Sequence, residues 1–175
     1  MENKKKECLI LIGISGSGKS LFSSTILDSY NAFRINRDDI RKTIVGDLTD
    51  YYIREDLQQL ENSVTRLENQ IFFEAVRNNK NIIIDNTNLK KDYIIRWREL
   101  CNREHYQIKF KLFDCELEES CKRVLIRDYP EIYINSELQR CSSYKQVEYI
   151  SRQYQQYQSI KLWIEEHYKD KIICS

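Results

Sequence analysis

Glycine is scarce in this chain. Its 175 residues include four glycines, against roughly twelve at the usual content of about 7%. Such a sequence has few tight turns and should be rich in helix. A single proline, Pro130, excludes a collagen-like or proline-rich chain. No sign of charge dominates: 28 Lys and Arg stand against 27 Asp and Glu, a net charge of +1. That excludes a globally basic nucleic-acid coat but not a local basic cleft. No apolar run approaches the ~18 residues that a membrane span needs. The basic start MENKKKE is followed by a short apolar stretch, Cys8 to Gly13, that leads straight into a Gly/Ser loop. This is too short for a signal peptide. The six cysteines and two histidines show no CxxC pair and no Cys/His metal spacing. Reduced, mostly buried thiols in a cytoplasmic, reducing compartment are the expectation.

Hydrophobic residues make up 41% of the chain and charged residues 31%, the composition of a globular protein. The length suits one domain over residues 1–175. Residues 8–12 form an apolar run of the kind buried on both faces of a sheet. A helix follows from Lys19 to Leu27, then a short strand at Phe33–Asn36. Apolar residues at Ile53, Leu57, Leu60, Val64, Leu67 and Ile71 step 4, 3, 4, 3, 4 and predict a long helix over 53–76. That stripe would serve packing on a sheet or the seam of a homo-oligomer. Ile82–Ile84 reads as a third strand and Lys91–His105 as a helix. Ile108, Phe110 and Leu112 alternate as a fourth strand. Helices from Leu117 and over Val147–Tyr168, and a last strand at Lys171–Cys174, complete the chain. The Tyr- and Gln-rich stretch 149–158 has helical spacing. Strands alternating with helices predict an α/β fold, with a mainly parallel sheet of four to five strands covered on both faces.

Three of the four glycines fall within six residues. Gly13-Ile14-Ser15-Gly16-Ser17-Gly18-Lys19-Ser20 matches G-x-x-x-x-G-K-[ST] in full, between an apolar strand and a helix. Glycines let the backbone turn its N–H groups onto phosphate oxygens. The following helix directs its positive end at the same anion. Lys19 can reach the β- and γ-phosphates, and the Ser20 hydroxyl can hold Mg²⁺. The cofactor-binding set is thus Gly13, Ser15, Gly16, Ser17, Gly18, Lys19, Ser20 and Leu21, with ATP or GTP and Mg²⁺ as cofactors. The fold class narrows to a three-layer α/β/α sandwich of the P-loop NTPase type. Asp85 closes the strand Ile82–Ile84 and is a second candidate for the metal or for the acceptor.

The second strand ends in Asn36-Arg37-Asp38-Asp39-Ile40-Arg41. Ligands of open α/β sheets sit at the carboxyl ends of strands. Asp38 is therefore placed to accept the proton of an attacking hydroxyl, since a carboxylate is ionised at neutral pH without help. Arg41, one helical turn on, could bind an anionic part of the acceptor. Asp38 or Asp39 could equally cap a helix. Arg123 and Arg127, four residues apart before Pro130, form either a solvated basic face or a lid that closes on the transferring phosphate. Residues 34–42 and 90–103 are rich in basic side chains, whereas 55–74 carry five acids and one arginine. Positive charge is expected near the acceptor, with the long helix facing elsewhere.

These segments, together with Ile84-Asp85-Asn86-Thr87-Asn88-Leu89, occur in the same order and at similar spacing in polynucleotide 5′-hydroxyl kinases. Over roughly residues 7–145 the chain resembles the kinase domain of the phage and bacterial end-repair enzymes. The resemblance implies ATP rather than GTP as the nucleotide, and Asp38 as general base. It implies that Arg41 contacts the acceptor phosphate, with Asp85 and Asn88 also on the acceptor side. It implies that Arg123 and Arg127 grip the ATP phosphates from a helical lid at about 120–135. Lys19, Asp38 and Arg127 would then be the catalytic set. The segment after Arg127, Asp128-Tyr129-Pro130, departs from the family pattern, and Arg140 is only a weak candidate. No D-x-D-G-T-like phosphatase segment occurs, so in end repair a 3′-phosphatase and a ligase are expected from other proteins. The residues alone leave two alternatives open: a P-loop kinase for a small molecule or an aminoacyl-tRNA, and an ATP-binding switch or assembly factor that is not a kinase. They do not separate DNA from RNA as acceptor.

Overall fold

The computed structural model describes residues 5–48, 51–128 and 138–173. Four strands form one sheet: β1 (Glu7–Ile12), β2 (Ala32–Ile35), β3 (Asn81–Ile84) and β4 (Gln107–Leu112). Their order across the sheet is β2-β3-β1-β4, and every pair is parallel. The central strand β1 explains its own sequence. Cys8, Ile10 and Ile12 point into one core, while Leu9 and Leu11 point with Ile83 into another on the opposite face. A parallel strand covered on both sides needs apolar residues at every position, not at alternate ones. Each fully buried isoleucine here stabilises by roughly 1.5–3 kcal/mol.

Among the described residues, six helices connect and cover the sheet. They are α1 (Lys19–Ile26), α2 (Arg37–Val45), α3 (Leu57–Arg77), α4 (Lys91–Arg103), α5 (Leu117–Asp128) and α6 (Leu138–His167). Phe22 and Ile26 of α1 pack on the Leu9/Leu11 face. Side chains of α3, α4 and α6 pack on the other, among them Val64, Phe72, Trp97, Tyr157 and Ile164. The result is the expected three-layer α/β/α arrangement.

Several boundaries differ from the expectation. The long helix begins at Leu57, because Ile53 belongs to a separate 3₁₀ turn and is 81% exposed. Asp56, just before α3, turns its carboxylate back to Arg54 at 2.9 Å. The 4-3 stripe of α3 is used by the chain's own core: Val64 is buried, and Leu67 and Ile71 pack against the same cluster. Helix α6 begins at Leu138, nine residues before the expected start. The expected strand at Lys171–Cys174 is instead a 3₁₀ turn, Lys169–Lys171, and one parallel bridge from Ile172 to Phe110. Cys174 lies outside the described residues.

Cys8, Cys101, Cys115 and Cys121 are free thiols. Among the described residues no helix is long and apolar enough to cross a membrane. The carboxyl ends of β1, β2 and β3 lead directly into the glycine loop, into α2 and into the Asp85–Leu89 segment. Parallel strands bring all three to one rim of the sheet.

Candidate functional site

The loop after β1 is shaped by two glycines with positive φ. Gly16 has φ +79°, and a Cβ there would lie 2.7 Å from the Ser120 carbonyl. Gly18 has φ +95° and caps α1. The first-turn N–H groups of α1, on Lys19, Ser20 and Leu21, have no intrahelical partner. These three residues line the cleft, although the Leu21 side chain itself is 76% exposed. Gly13 is a packing position: its N–H donates to the Thr87 carbonyl at 3.2 Å, and a Cβ there would meet Ser17 Oγ at 2.7 Å.

Lys19 is buried, only 7% exposed. Its ammonium donates to the Ile14 carbonyl at 2.7 Å and to Ser17 Oγ at 3.3 Å, so it folds back over its own loop. Burial lowers its pKa to about 8. Asp85 opposes that shift, and the nearby positive charge of Arg127 adds to it. An ammonium held this way is under-solvated, which favours an incoming polyanion.

Asp85 is 1% exposed at the end of β3. Its Oδ2 accepts from Ser23 Oγ at 2.8 Å and from Arg34 Nε at 2.8 Å, and Arg34 Nη2 lies 2.6 Å away. Its Oδ1 points to the Ser20 hydroxyl at 3.5 Å. One carboxylate oxygen is thus fixed by Arg34 and Ser23, and the other faces the loop. A hydroxyl and a carboxylate oxygen at the mouth of a phosphate cradle form a hard, all-oxygen donor pair that suits Mg²⁺. Ser20 and Asp85 fit that ion.

Helix α2 starts where β2 ends. Its cap is Asn36, which accepts from the Asp39 N–H at 3.0 Å and donates to the Asp85 carbonyl at 2.6 Å. The cap is therefore neither Asp38 nor Asp39. Asp39 pairs with Arg34. Asp38 is left at the cleft, its side chain 63% exposed and its Oδ1 2.7 Å from Arg41 Nη1. Arg41 also meets Glu61 at 2.8 Å, and its guanidinium lies 5.6 Å from the Tyr51 ring and 5.8 Å from the Tyr52 ring. Burial would lower its pKa, but Glu61 and Asp38 hold it above the ordinary arginine value. Glu61 is in turn pulled down to about 2, since Arg41, Arg37 and Tyr51 outweigh its own partial burial.

The expectation that the long helix faces away from the site is overturned here. Glu61 and Glu68 of α3 pair with Arg37, and Glu68 also pairs with Arg96 at 3.3 Å. Glu68 even lines the cleft. Two arginines at the start of α2 attract acids from the neighbouring helix, because buried guanidinium groups need partners. Of the basic side chains in 90–103, Lys90 lines the cleft. Lys91 stacks on Trp163 at 5.4 Å, and Arg98 donates to the Tyr168 hydroxyl at 3.1 Å.

Helix α5 lies over the loop. Ser120 Oγ donates to the Ser15 carbonyl, and Arg123 reaches the Gly16 carbonyl at 3.3 Å while pairing with Glu119 at 2.7 Å. Arg123 and Arg127 both line the cleft rather than a remote face. Residues 129–135 of the expected lid, and the side chain of Arg140, lie outside the described residues. Asn88 borders the cleft at φ +53°, but its amide nitrogen is bonded to the Leu11 carbonyl at 2.8 Å and the Ile84 carbonyl at 3.3 Å. It braces the segment between β3 and β1.

Together these groups enclose a cleft of about 630 Å³. Ser15, Gly16, Gly18, Lys19, Ser20, Leu21, Asp38, Arg41, Asp85, Asn88, Arg123 and Arg127 all line it. Sequence reasoning missed Arg34, which it counted only as charge, and Gln153. The buried Gln153 accepts from the Ser15 N–H at 2.8 Å and so ties α6 to the loop. A signal for it existed: Ile150, Gln153, Tyr157, Ile160 and Ile164 step 3, 4, 3, 4, with a glutamine in an otherwise apolar or aromatic stripe. Tyr52, Tyr93 and Tyr149 on the cleft rim had no distinguishing spacing.

Comparison with known proteins gives a family match, described as AAA domain (AAA_33), over residues 9–147. The chain is 33% identical over 125 residues to the "Putative bifunctional polynucleotide kinase/RNA ligase" of Autographa californica nuclear polyhedrosis virus. That alignment takes in 67% of this chain and 18% of the viral protein. Among solved structures, a chain of a Pnkp1/Rnl/Hen1 complex is 31% identical, with a TM-score of 0.53 over 70% of this chain and 41% of that one. A chain of the Pnkp1/Rnl/Hen1 RNA repair complex is 26% identical, with a TM-score of 0.58 over 87% and 48%. This protein thus spans less than half the length of these relatives, and the resemblance to polynucleotide kinases is borne out over that part. The family match covers well over half of the chain, includes the whole phosphate loop, and runs through Asp38, Asp85 and Arg127: the protein belongs to the AAA domain family of P-loop proteins.

Proposed function

We propose that this protein transfers the γ-phosphate of ATP to the 5′-hydroxyl of a nucleic-acid end. The observation that carries the reading is the placing of Asp38 and Arg41 in the same cleft as Lys19 and Ser20. A nucleotide hydrolase has no need of a carboxylate–arginine pair opposite its phosphate loop. A kinase with an anionic acceptor needs both. The polynucleotide-kinase name of the viral relative supports the same class of acceptor.

The chemistry follows from the groups present. Loop N–H groups and the α1 N-terminus hold the phosphates, with Lys19 at the β- and γ-positions. Ser20 and Asp85 would hold Mg²⁺, which neutralises charge on the phosphates when bound. Arg41 binds the acceptor's phosphodiester, which frees its partner, the Asp38 carboxylate, to turn to the reacting hydroxyl. Asp38 accepts the hydroxyl proton as the acceptor oxygen bonds to the γ-phosphorus and the bond to the β,γ-bridging oxygen breaks, releasing ADP. Arg123 and Arg127 close from the lid, and Arg127 stabilises the charge on the transferring group.

Labelled ATP with a 5′-hydroxyl oligonucleotide, a 5′-phosphorylated control and a nucleoside panel tests this reading. Transfer to the 5′-hydroxyl strand only is expected; transfer only to the small alcohols refutes it. Asp38→Asn should lower turnover by about 10²–10⁴-fold with little change in ATP binding. Normal turnover in that variant removes Asp38 as the base.

A further inference from the structure

Exposed aromatic side chains are unevenly distributed. Among the described residues, the large apolar side chains left open to solvent include Tyr52 at 62%, Tyr149 at 51% and Tyr93 at 40% exposure. All three line the one cleft that holds Asp38 and Arg41. They come from three separate elements: the 3₁₀ turn before α3, the first turn of α4, and α6. None of their hydroxyls is hydrogen-bonded among the described residues, so polar satisfaction does not account for their placing.

Tyr52 is fixed relative to the acceptor groups. Its ring lies 5.8 Å from the Arg41 guanidinium, which is itself 2.7 Å from Asp38. Tyr149, from α6, lines the same cleft as Tyr52, Asp38 and Arg41. Exposed rings lining a cleft that also holds an arginine form the chemistry of a single-strand site: flat faces for bases and a cation for the backbone. Every base has a π-face, so such a site is tolerant of sequence.

We infer that Tyr52 and Tyr149 form a stacking site for the unpaired base at the 5′ end of a single-stranded acceptor, with Tyr93 offering a face to the next base. This rests on the polynucleotide-acceptor reading above. A base held on these rings cannot remain paired and stacked within a duplex. The site therefore selects single-stranded or unpaired ends over blunt duplex ends.

The test compares four acceptors: a 5′-hydroxyl single strand, the same strand with an abasic 5′ residue, the strand as a blunt duplex, and a 5′-phosphorylated control. Tyr52→Ala and Tyr149→Ala are each expected to lower kcat/KM for the single strand by about tenfold, as loss of one base–aromatic stack does. The KM for ATP should not move. Tyr52→Phe and Tyr149→Phe, which keep the ring, should stay within about twofold of the parent protein. The abasic and duplex acceptors should be poorer for the parent protein, and the alanine variants should lose nothing further on the abasic strand. Equal use of abasic and base-bearing strands, equal use of blunt duplex, or alanine variants with unchanged acceptor kinetics would each overturn the stacking site while leaving the kinase reading intact. No transfer to any 5′-hydroxyl strand by the parent protein overturns both.

Discussion

Replacing Lys19 by methionine should make the nucleotide-free protein more stable near neutral pH while abolishing nucleotide binding. The ammonium is 7% exposed, and burial brings its pKa from 10.5 down to about 8. A folded-state pKa below the unfolded one means that the unfolded chain binds the proton more tightly. Between about pH 8 and 10.5 the unfolded state therefore holds more protons, and the stability of the parent protein rises with pH across that window. Below about pH 8 the charged group is a constant cost of about 3 kcal/mol relative to a neutral one. Methionine has similar bulk and no charge. It also gives up the bonds to the Ile14 carbonyl and Ser17 Oγ, worth about 1 kcal/mol each. The net gain at about pH 7 is then about 1 kcal/mol, or roughly 2–4 °C in Tm for a domain of this size. The pH dependence of the difference is the sharper quantity, because the lost hydrogen bonds largely cancel in it. Between about pH 7 and pH 9.5 the advantage of Lys19→Met should fall by about 2 kcal/mol. Urea unfolding of both proteins at the two pH values, without nucleotide, reads this directly. A stability difference that does not change with pH would mean that Lys19 is not desolvated as described. With Mg-ATP at about a hundred times its Kd, only the parent protein should gain about 2.7 kcal/mol.

Two further predictions concern the frame around the site. Glu68→Ala leaves Arg37 and Arg96 without their shared carboxylate, so it should destabilise the fold by about 3–5 kcal/mol, seen as a lower urea midpoint; an unchanged midpoint would show that the α2–α3 network contributes little. Gly16→Ala must place a Cβ 2.7 Å from the Ser120 carbonyl at φ +79°, so it should cost more than about 1 kcal/mol and weaken nucleotide binding at least tenfold by calorimetry; binding at the parent affinity would show that the loop can shift without loss.

How far the sequence could be read follows from which interactions are local. The strand Cys8–Ile12, the glycine loop and the start of α1 are consecutive, so periodicity and turn chemistry were enough to place them. The same holds for β3 and Asp85. The α3 stripe gave the helix but not its start, because Ile53 fits the 4-3 spacing while the Arg54–Asp56 pair, at 2.9 Å, sits at the true boundary. What could not be read is what depends on contacts between distant segments. Arg34 looked like one more basic residue of β2, yet it reaches Asp85, fifty-one residues on. Gln153 meets Ser15 across 138 residues. The expected direction of the long helix failed for the same reason. Counting charge along residues 55–74 gave an acidic segment but not the face each acid occupies. Glu61 and Glu68 sit seven apart, on one face of α3, and that face is the one turned to Arg37 and Arg41.

On the proposed kinase reading, that correction also changes how the acceptor side works. Arg41 is not a free cation awaiting a phosphate. It is shared between Asp38 and Glu61 and flanked by two tyrosine rings. A phosphodiester entering the cleft must compete with carboxylates already in place, so binding there repartitions existing bonds rather than forming new ones in open solvent. Glu61 is bonded to Arg37, Arg41 and the Tyr51 hydroxyl at once, so it is the partner less able to leave. Asp38, mostly exposed and held through one oxygen to Arg41, is the one that can turn. An acceptor phosphate on Arg41 would thus release the Asp38 carboxylate toward the hydroxyl that the same acceptor carries. Binding of the acceptor and freeing of the base become one event, and the base is left paired when no acceptor is present.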